Sequence, residues 1–404
     1  MKSLSYKPII FSLLVFSFIT TLIYGQDNRH EKWHYYINSK GEEAIKVSAV
    51  SINNFSDGMA RVRKYFWDGG AKAFNNYGYI DTSGKLVINH DFESAKDFKF
   101  GVASVKKRGQ DFFYIIDKTG KRIIEKNFDK APLIQDNIII WKEGNSFGIM
   151  DFKGNIIVNV GKYIDYGGYD ELGLCCVGKE KDANTWLYGF IDKQGNEVIP
   201  CTFKQEGTSS FAKDGHARMK GSNGKTGIID TTGQFVVVGS YGSVNQNGEG
   251  FFTAAFGRNR TMWGLVDYEN QVAIPGKYDD LRVPYKGLVR AELNGKHGYL
   301  KTDGTIFIPL EYDDWSSEYS KNDLAIFDKG DTKYVYTLDG ELILKSNKYR
   351  YLGPNPLNRT IIFRENDTNI AGIMNYKGEI IYRNEKYCHI GPFDSDRAAV
   401  RLCK

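Results

Sequence analysis

The chain has 404 residues, a quarter of them charged, with 54 basic side chains set against 49 acidic ones. A net charge of +5 spread over that length makes no strong case for nucleic acid as a partner. Length alone would allow two or three ordinary domains, but no composition break or Pro/Ser-rich linker divides the sequence.

At the N-terminus, Lys2 and Lys7 precede an apolar stretch from Ile9 to Tyr24, and Gly25-Gln26-Asp27 opens polar sequence. A basic start, a short hydrophobic segment and a small residue at the cut describe a secretory signal over residues 1–25. The segment is short for a membrane span, which takes ~20 apolar residues. No cysteine follows it, so lipid attachment is not expected. The expectation is an exported mature chain, residues 26–404, with no stable membrane span and a net charge of +3.

From residue 33 onward one short pattern recurs: apolar residues, Asp or Asn, two variable residues, Gly, then an aliphatic run. It reads YGYIDTSGKLVI from Tyr77, FGIMDFKGNIIV from Phe147, YGFIDKQGNEVI from Tyr188 and WGLVDYENQVAI from Trp263. The glycines fall at Gly41, Gly84, Gly120, Gly154, Gly195, Gly233, Gly304, Gly340 and Gly378, with Asn270 standing in for the seventh. These ten positions number the units used below. Spacings of 34 to 43 residues mark a tandem array, in which each unit packs on its neighbours.

Three residues before the glycine stands Asp81, Asp117, Asp151, Asp192, Asp230 or Asp267, with Asn38 and Asn375 as substitutes. Asp at the head of a turn bonds backbone N–H groups ahead of it, and Gly in fourth place takes the left-handed conformation. Each unit is therefore predicted to hold a β-hairpin, its second strand an aliphatic run such as Ile156-Ile157-Val158. About 17 to 20 residues after the glycine comes an alternating segment, as in Gly58-Met59-Ala60-Arg61-Val62 or Gly287-Leu288-Val289-Arg290-Ala291. Alternation of this kind is strand periodicity, so each unit supplies about three short strands. No sustained helical periodicity interrupts them, and the reading is all-β. The 26 tyrosines and 25 phenylalanines suit shallow cores, since large rings bury area while tolerating one wet edge.

The units resemble the WG-type (KWG) repeat. Trp263-Gly264, Ile274-Pro275, Tyr278-Asp279-Asp280 and Gly287 carry the resemblance, as do Tyr188-Gly189-Phe190-Ile191-Asp192, Val198-Ile199-Pro200, Phe203 and Gly215-His216-Ala217. It covers essentially residues 33–402. One unit alone has the literal Trp-Gly, and the ninth, Tyr334-Val335-Tyr336-Thr337, loses both Gly and Asp. The resemblance implies a bacterial, often exported repeat module with no common catalytic activity, and it transfers no active site.

The search for chemistry ends mostly in structural roles. The turn aspartates come one to a turn, whereas calcium needs six to eight converging oxygens. The six histidines occur singly, and His297 takes the packing place of Trp263 or Tyr188. Five cysteines make no framework; Cys175, Cys176 and Cys201 fall at strand positions, and the last unit has room for one bridge, Cys388–Cys403. Neither a nucleophile elbow nor a phosphate-binding loop is present. Lys106-Lys107-Arg108 and Arg258-Asn259-Arg260 read as solvated hairpin loops. For a hydrolase, the pattern-breaking Asp165, Asp170 and Glu171 of the long fourth unit are the carboxylates to watch. Tyr163, Tyr166 and Tyr169 form the densest aromatic patch and are the tentative ligand surface.

The expected architecture is an open, curved solenoid-like array, because ten units exceed the usual 4–8 blades of a propeller. A closed propeller-like ring is the alternative, since the first strand at Trp33–Ile37 and the last at Ala398–Leu402 could pair and remove the free edges. The functional expectation is an exported binding or scaffold module in the periplasm, at the outer envelope or secreted. Its partner would be an envelope protein, a peptide or a glycan, and no cofactor is called for. A structural spacer ranks second and an exported hydrolase third.

Overall fold

A computed structural model describes residues 31–67, 73–182, 185–204, 209–238, 241, 243–256, 261–317, 323–355, 358–394 and 396–403, together with Gly25 and Gln26. The segment expected to be a secretory signal, Gly25 excepted, and the loop Arg258-Asn259-Arg260 lie outside the described residues. Among the described residues the regular structure is entirely strand, and no helix is long and apolar enough to cross a membrane.

Among the described residues the strands form nine antiparallel sheets. Most have four strands rather than three, and the sheet of the eighth hairpin shows the plan. Asp280–Leu281, Leu288–Leu293, Lys296–Lys301 and Ile306–Tyr312 pair in chain order. The extra strand, here Asp280–Leu281, is short and lies one residue beyond the preceding aliphatic strand. It has too few residues to show alternation, which is why periodicity misses it. The middle pair is the hairpin that links one unit to the next, closing through Asn294-Gly295 with both φ values positive at 53° and 68°. The second and third hairpins share one seven-stranded sheet, because Leu86–Ala95 continues from one to the next and Phe92 pairs with both Tyr77 and Lys107.

The array is closed, not open. Lys32–Ile37, at the start of the described chain, pairs with Ala398–Leu402 at its end, setting Tyr35 opposite Val400 and Ile37 opposite Ala398. The resulting sheet runs Glu43–Ala49, Lys32–Ile37, Ala398–Leu402, Tyr387–Ile390. The protein is thus a β-propeller of nine sheets, the alternative in the sequence reading. An open array would leave two rows of unpaired backbone groups, and mutual pairing of the first and last strands removes both.

The core lies within and between the sheets as linked clusters. One joins Leu265, Ile274 and Tyr278 to Val289, Ala291 and Leu300 of the following sheet. Another carries Ile362 and Ile373 across to Ile37, Tyr387 and Val400 at the closure. The aliphatic strands repeat one exposure pattern, buried at every Ile88, Ile199, Ile274 and Ile308 position. Residues of these aliphatic strands touch the turn glycine of the next unit: a Cβ on Gly84, Gly120, Gly233 or Gly304 would meet Ile45, Ile88, Ile199 or Ile274, and one on Gly340 would meet Phe307. At the closure Gly41 meets Tyr382 of the last unit in the same way.

Candidate functional site

Two kinds of turn share one end of the ring. In the Asp-x-x-Gly turns the aspartate does what its spacing predicts. Asp192 Oδ1 accepts from the N–H groups of Gln194 and Asn196, both at 2.9 Å. Asp81, Asp117, Asp151, Asp230 and Asp267 repeat the arrangement, and Asn38 and Asn375 use their side-chain oxygens likewise. In the eighth unit, where Lys301 takes the aspartate's place, Asp303 bonds the N–H of Thr305 instead.

The second kind of turn leads into each alternating strand. At Ser56-Asp57-Gly58-Met59 both central residues have positive φ, 54° and 76°, and the outer residues exchange both backbone bonds at 2.9 and 3.1 Å. This is the two-residue turn whose twist suits a hairpin, favouring Asp-Gly and its relatives. Neighbouring turns are tied together by their side chains. Asp57 Oδ2 accepts from Gly101 N at 2.5 Å, and Asp214 Oδ2 from Gly250 N at 2.8 Å. Glu249 accepts from Lys286 N and Gly287 N at 2.7 and 3.1 Å, and Lys286 Nζ pairs with Asp323 at 2.8 Å.

At the following junction a cleft of about 850 Å³ opens between the sheets of the ninth and tenth hairpins. The turn ahead carries Arg359, with φ of 51°, where Gly58, Gly250 and Gly287 stand elsewhere. Asp323, Asp339 and Glu341 line the cleft from the ninth sheet, and Arg359, Tyr376 and Lys377 from the tenth. Leu338 and Leu342 add apolar surface. The Arg359 guanidinium lies 5.6 Å from the Tyr376 ring centre. Burial pushes the Tyr376 phenol up to about 12, Asp323 adding to the shift and Arg359 opposing it. The phenol therefore stays protonated and serves as a donor. Acidic and basic walls facing each other across a partly apolar floor suit a ligand that carries both signs.

The residues singled out from sequence lie elsewhere. Tyr163 and Tyr169 are buried in one core cluster, with Tyr166 packed against it. Their hydroxyls donate to Glu197, the Asp192 carbonyl and Gln135 respectively. Asp165 accepts from Tyr188, Asp170 heads a turn and bonds Phe211 N, and Glu171 pairs with Lys213. The three carboxylates are thus each taken up in local structure. His297 is buried against the Trp315 ring, centroids 4.6 Å apart, as a packing residue. Cys175 and Cys176 are buried free thiols whose burial pushes them up to about 12, while Cys388 and Cys403 form a disulfide. Among the described residues, no three His, Cys, Asp or Glu side chains are grouped to hold a metal ion. The cleft escaped sequence reading. Its one signal there is Arg359 in the place of Gly58, Gly250 and Gly287, visible only once the second turn series is aligned.

Comparison with known proteins locates the family described as "WG containing repeat" at residues 36–65, 77–110, 188–225, 263–296 and 298–332. No curated protein matches the chain. Among solved structures, one titled as a eukaryotic initiation factor is 12% identical at a TM-score of 0.41, covering 88% of this chain and 96% of that one. Kluyveromyces lactis Hsv2 is 12% identical at a TM-score of 0.30, covering 82% and 97%. Dihydro-heme d1 dehydrogenase NirN is 10% identical at 0.35, covering 72% and 75%. Likenesses at these scores say nothing about the ligand of this chain.

Proposed function

We propose that this chain, a WG-repeat protein, is an exported binding module that holds a peptide or a protein segment of the cell envelope in the cleft between the ninth and tenth hairpins. The observation that carries this reading is the junction at Arg359, where a cleft of about 850 Å³ is walled by charges of both signs. Sister turns spend their charges on one another, whereas Arg359, Asp339, Glu341 and Lys377 line open space. An extended segment with one basic and one acidic side chain matches them. Repeat arrays commonly bind through such inter-unit surfaces. Export is supported by the basic-then-apolar N-terminus and by the Cys388–Cys403 disulfide, a bond that persists in oxidising compartments.

The test is site-specific photo-crosslinking of the exported protein in its own envelope fraction. A photoreactive residue at Lys377 should give a protease-sensitive adduct, and one at Thr232, the same turn position in the sixth unit, should not. Arg359→Glu, which reverses one wall, should abolish the Lys377 adduct. Equal labelling from both positions, or none from either, would leave the spacer reading standing in its place.

A further inference from the structure

On the opposite end of the ring, three arginines and a histidine gather beside an exposed tyrosine. Arg364 lies on Thr360–Glu365, and Arg401 pairs across strands with His389 in the neighbouring sheet. Arg364 Nη2 donates to His389 Nδ1 at 3.1 Å. A guanidinium can only donate, so Nδ1 is unprotonated, the ring is neutral and its Nε2–H is a donor. Arg350, one residue before Tyr351, bonds Asn369. Burial, then the charges of Arg350 and Arg401, hold Arg364 below the usual arginine value, so these cations act on one another.

Among the described residues no carboxylate pairs with Arg350, Arg364 or Arg401. The nearest along the strand, Glu365, faces the other side of the sheet, where it binds Arg383, Lys348 and Thr368. A cluster of like charges without a counter-ion is costly for a fold to hold, and an oxyanion with several acceptor oxygens relieves the cost.

Tyr351 shows what else the ligand carries. It pairs with Arg364 across the strands, and the hydroxyl end of its ring reaches Gly353, where a side chain would leave no room. The residue is 54% exposed, so much of its ring is open to solvent beside Arg364. An aromatic face next to an anion site fits a sugar ring better than a bare ion.

We infer that Arg350, Arg364, Arg401 and His389 form a site for the phosphate or sulfate ester of a sugar whose ring stacks on Tyr351. This site is separate from the cleft at Arg359 and stands or falls independently of it.

Calorimetric titration of the full mature chain at low ionic strength tests the inference, with glucose 6-phosphate, glucose 6-sulfate, inorganic phosphate and glucose as probes. At least one sugar ester should bind saturably and more tightly than inorganic phosphate, with no binding of glucose. Comparison of the two esters identifies the preferred anion. Arg401→Gln, at an exposed position, should weaken ester binding by roughly tenfold, the value of one charge-assisted bond. Tyr351→Ala should bring the ester down to the affinity of inorganic phosphate. The inference is overturned if neither ester binds, if Arg401→Gln and Arg364→Gln both bind like the parent, or if inorganic phosphate binds as tightly as the esters.

Discussion

Gly195 has a φ of +81°, and a Cβ there would sit 2.6 Å from the Ile157 carbonyl oxygen of the preceding unit. Two separate penalties therefore meet at one position, left-handed backbone strain and collision with the neighbour. Gly109 has a similar φ of +79° but open surroundings. Gly109→Ala should cost about 1 kcal/mol, the backbone term alone, and Gly195→Ala about 2 kcal/mol or more. Urea unfolding midpoints of the two variants would separate the terms; equal losses would mean that the neighbouring unit gives way freely. The aspartate three residues before this glycine has a different task. Burial raises the Asp192 carboxyl, but the Asn196 side chain and the N–H groups of Asn196, Gln194 and Gly195 outweigh it and hold the group below its ordinary value. Asp192→Ala frees those backbone donors at a cost of about 1 kcal/mol, read from the same midpoints. Asp192→Asn should recover most of it, since Asn38 and Asn375 make the same bonds.

Between elements, side chains clamp the last sheets to each other. Glu365 is 2% exposed and accepts from Arg383 at 2.8 and 2.9 Å. The Arg383 bonds come first among the causes that hold its carboxyl at about 2, with Thr368 and Lys348 adding to them against the effect of burial. A depressed carboxyl stabilises the fold fully above the ordinary value of 4.5, and the contribution fades as pH falls from there towards 2. Glu365→Gln should lower stability by about 2 kcal/mol at neutral pH and flatten the acid limb of the stability profile between roughly pH 4.5 and 2. A parent-like acid limb would assign that loss to the turn aspartates instead. The disulfide works one sheet further on. It ties Tyr387–Ile390 to the end of Ala398–Leu402, the strand that pairs with Lys32–Ile37. Reduction, or Cys403→Ser, should cost about 3 kcal/mol for a bond closing a loop of this size. The loss should fall on the closing sheet, seen as faster amide exchange at Tyr35–Ile37 than at Leu265 in the opposite half.

Closure governs the whole molecule. Deleting residues 386–404 would remove two of the four strands of the closing sheet and expose Tyr36 and Ile37, both now 0% exposed. The remaining chain would carry a free edge lined with apolar side chains, and should associate through it. Light scattering after size exclusion would show oligomers for the truncated chain and monomer-sized scattering for the parent's closed ring; equal masses would mean that closure is dispensable.

Much of this was written locally. The Asp-x-x-Gly period announces each hairpin, because a turn needs only its own few residues to form. The aliphatic runs announce the inter-sheet contacts, and the cysteine spacing left room for the bridge that formed. The short fourth strands were hidden, since a strand as brief as Asp280–Leu281 is defined by its partner and not by its own alternation. The tyrosines at 163, 166 and 169 drew attention for density, yet density cannot distinguish a ring facing solvent from one folded inward. The cleft and the arginine cluster each bring together residues from two sheets, which no local spacing records.

Sequence by itself determined the hairpin of each unit and the number of times it is copied. Only the tertiary structure decided that the copies close into a ring, because curvature accumulates over many inter-unit contacts, each too small to read from one repeat. The pairing of Tyr36 with Ala399 is where that accumulated curvature brings the two ends of the described chain together.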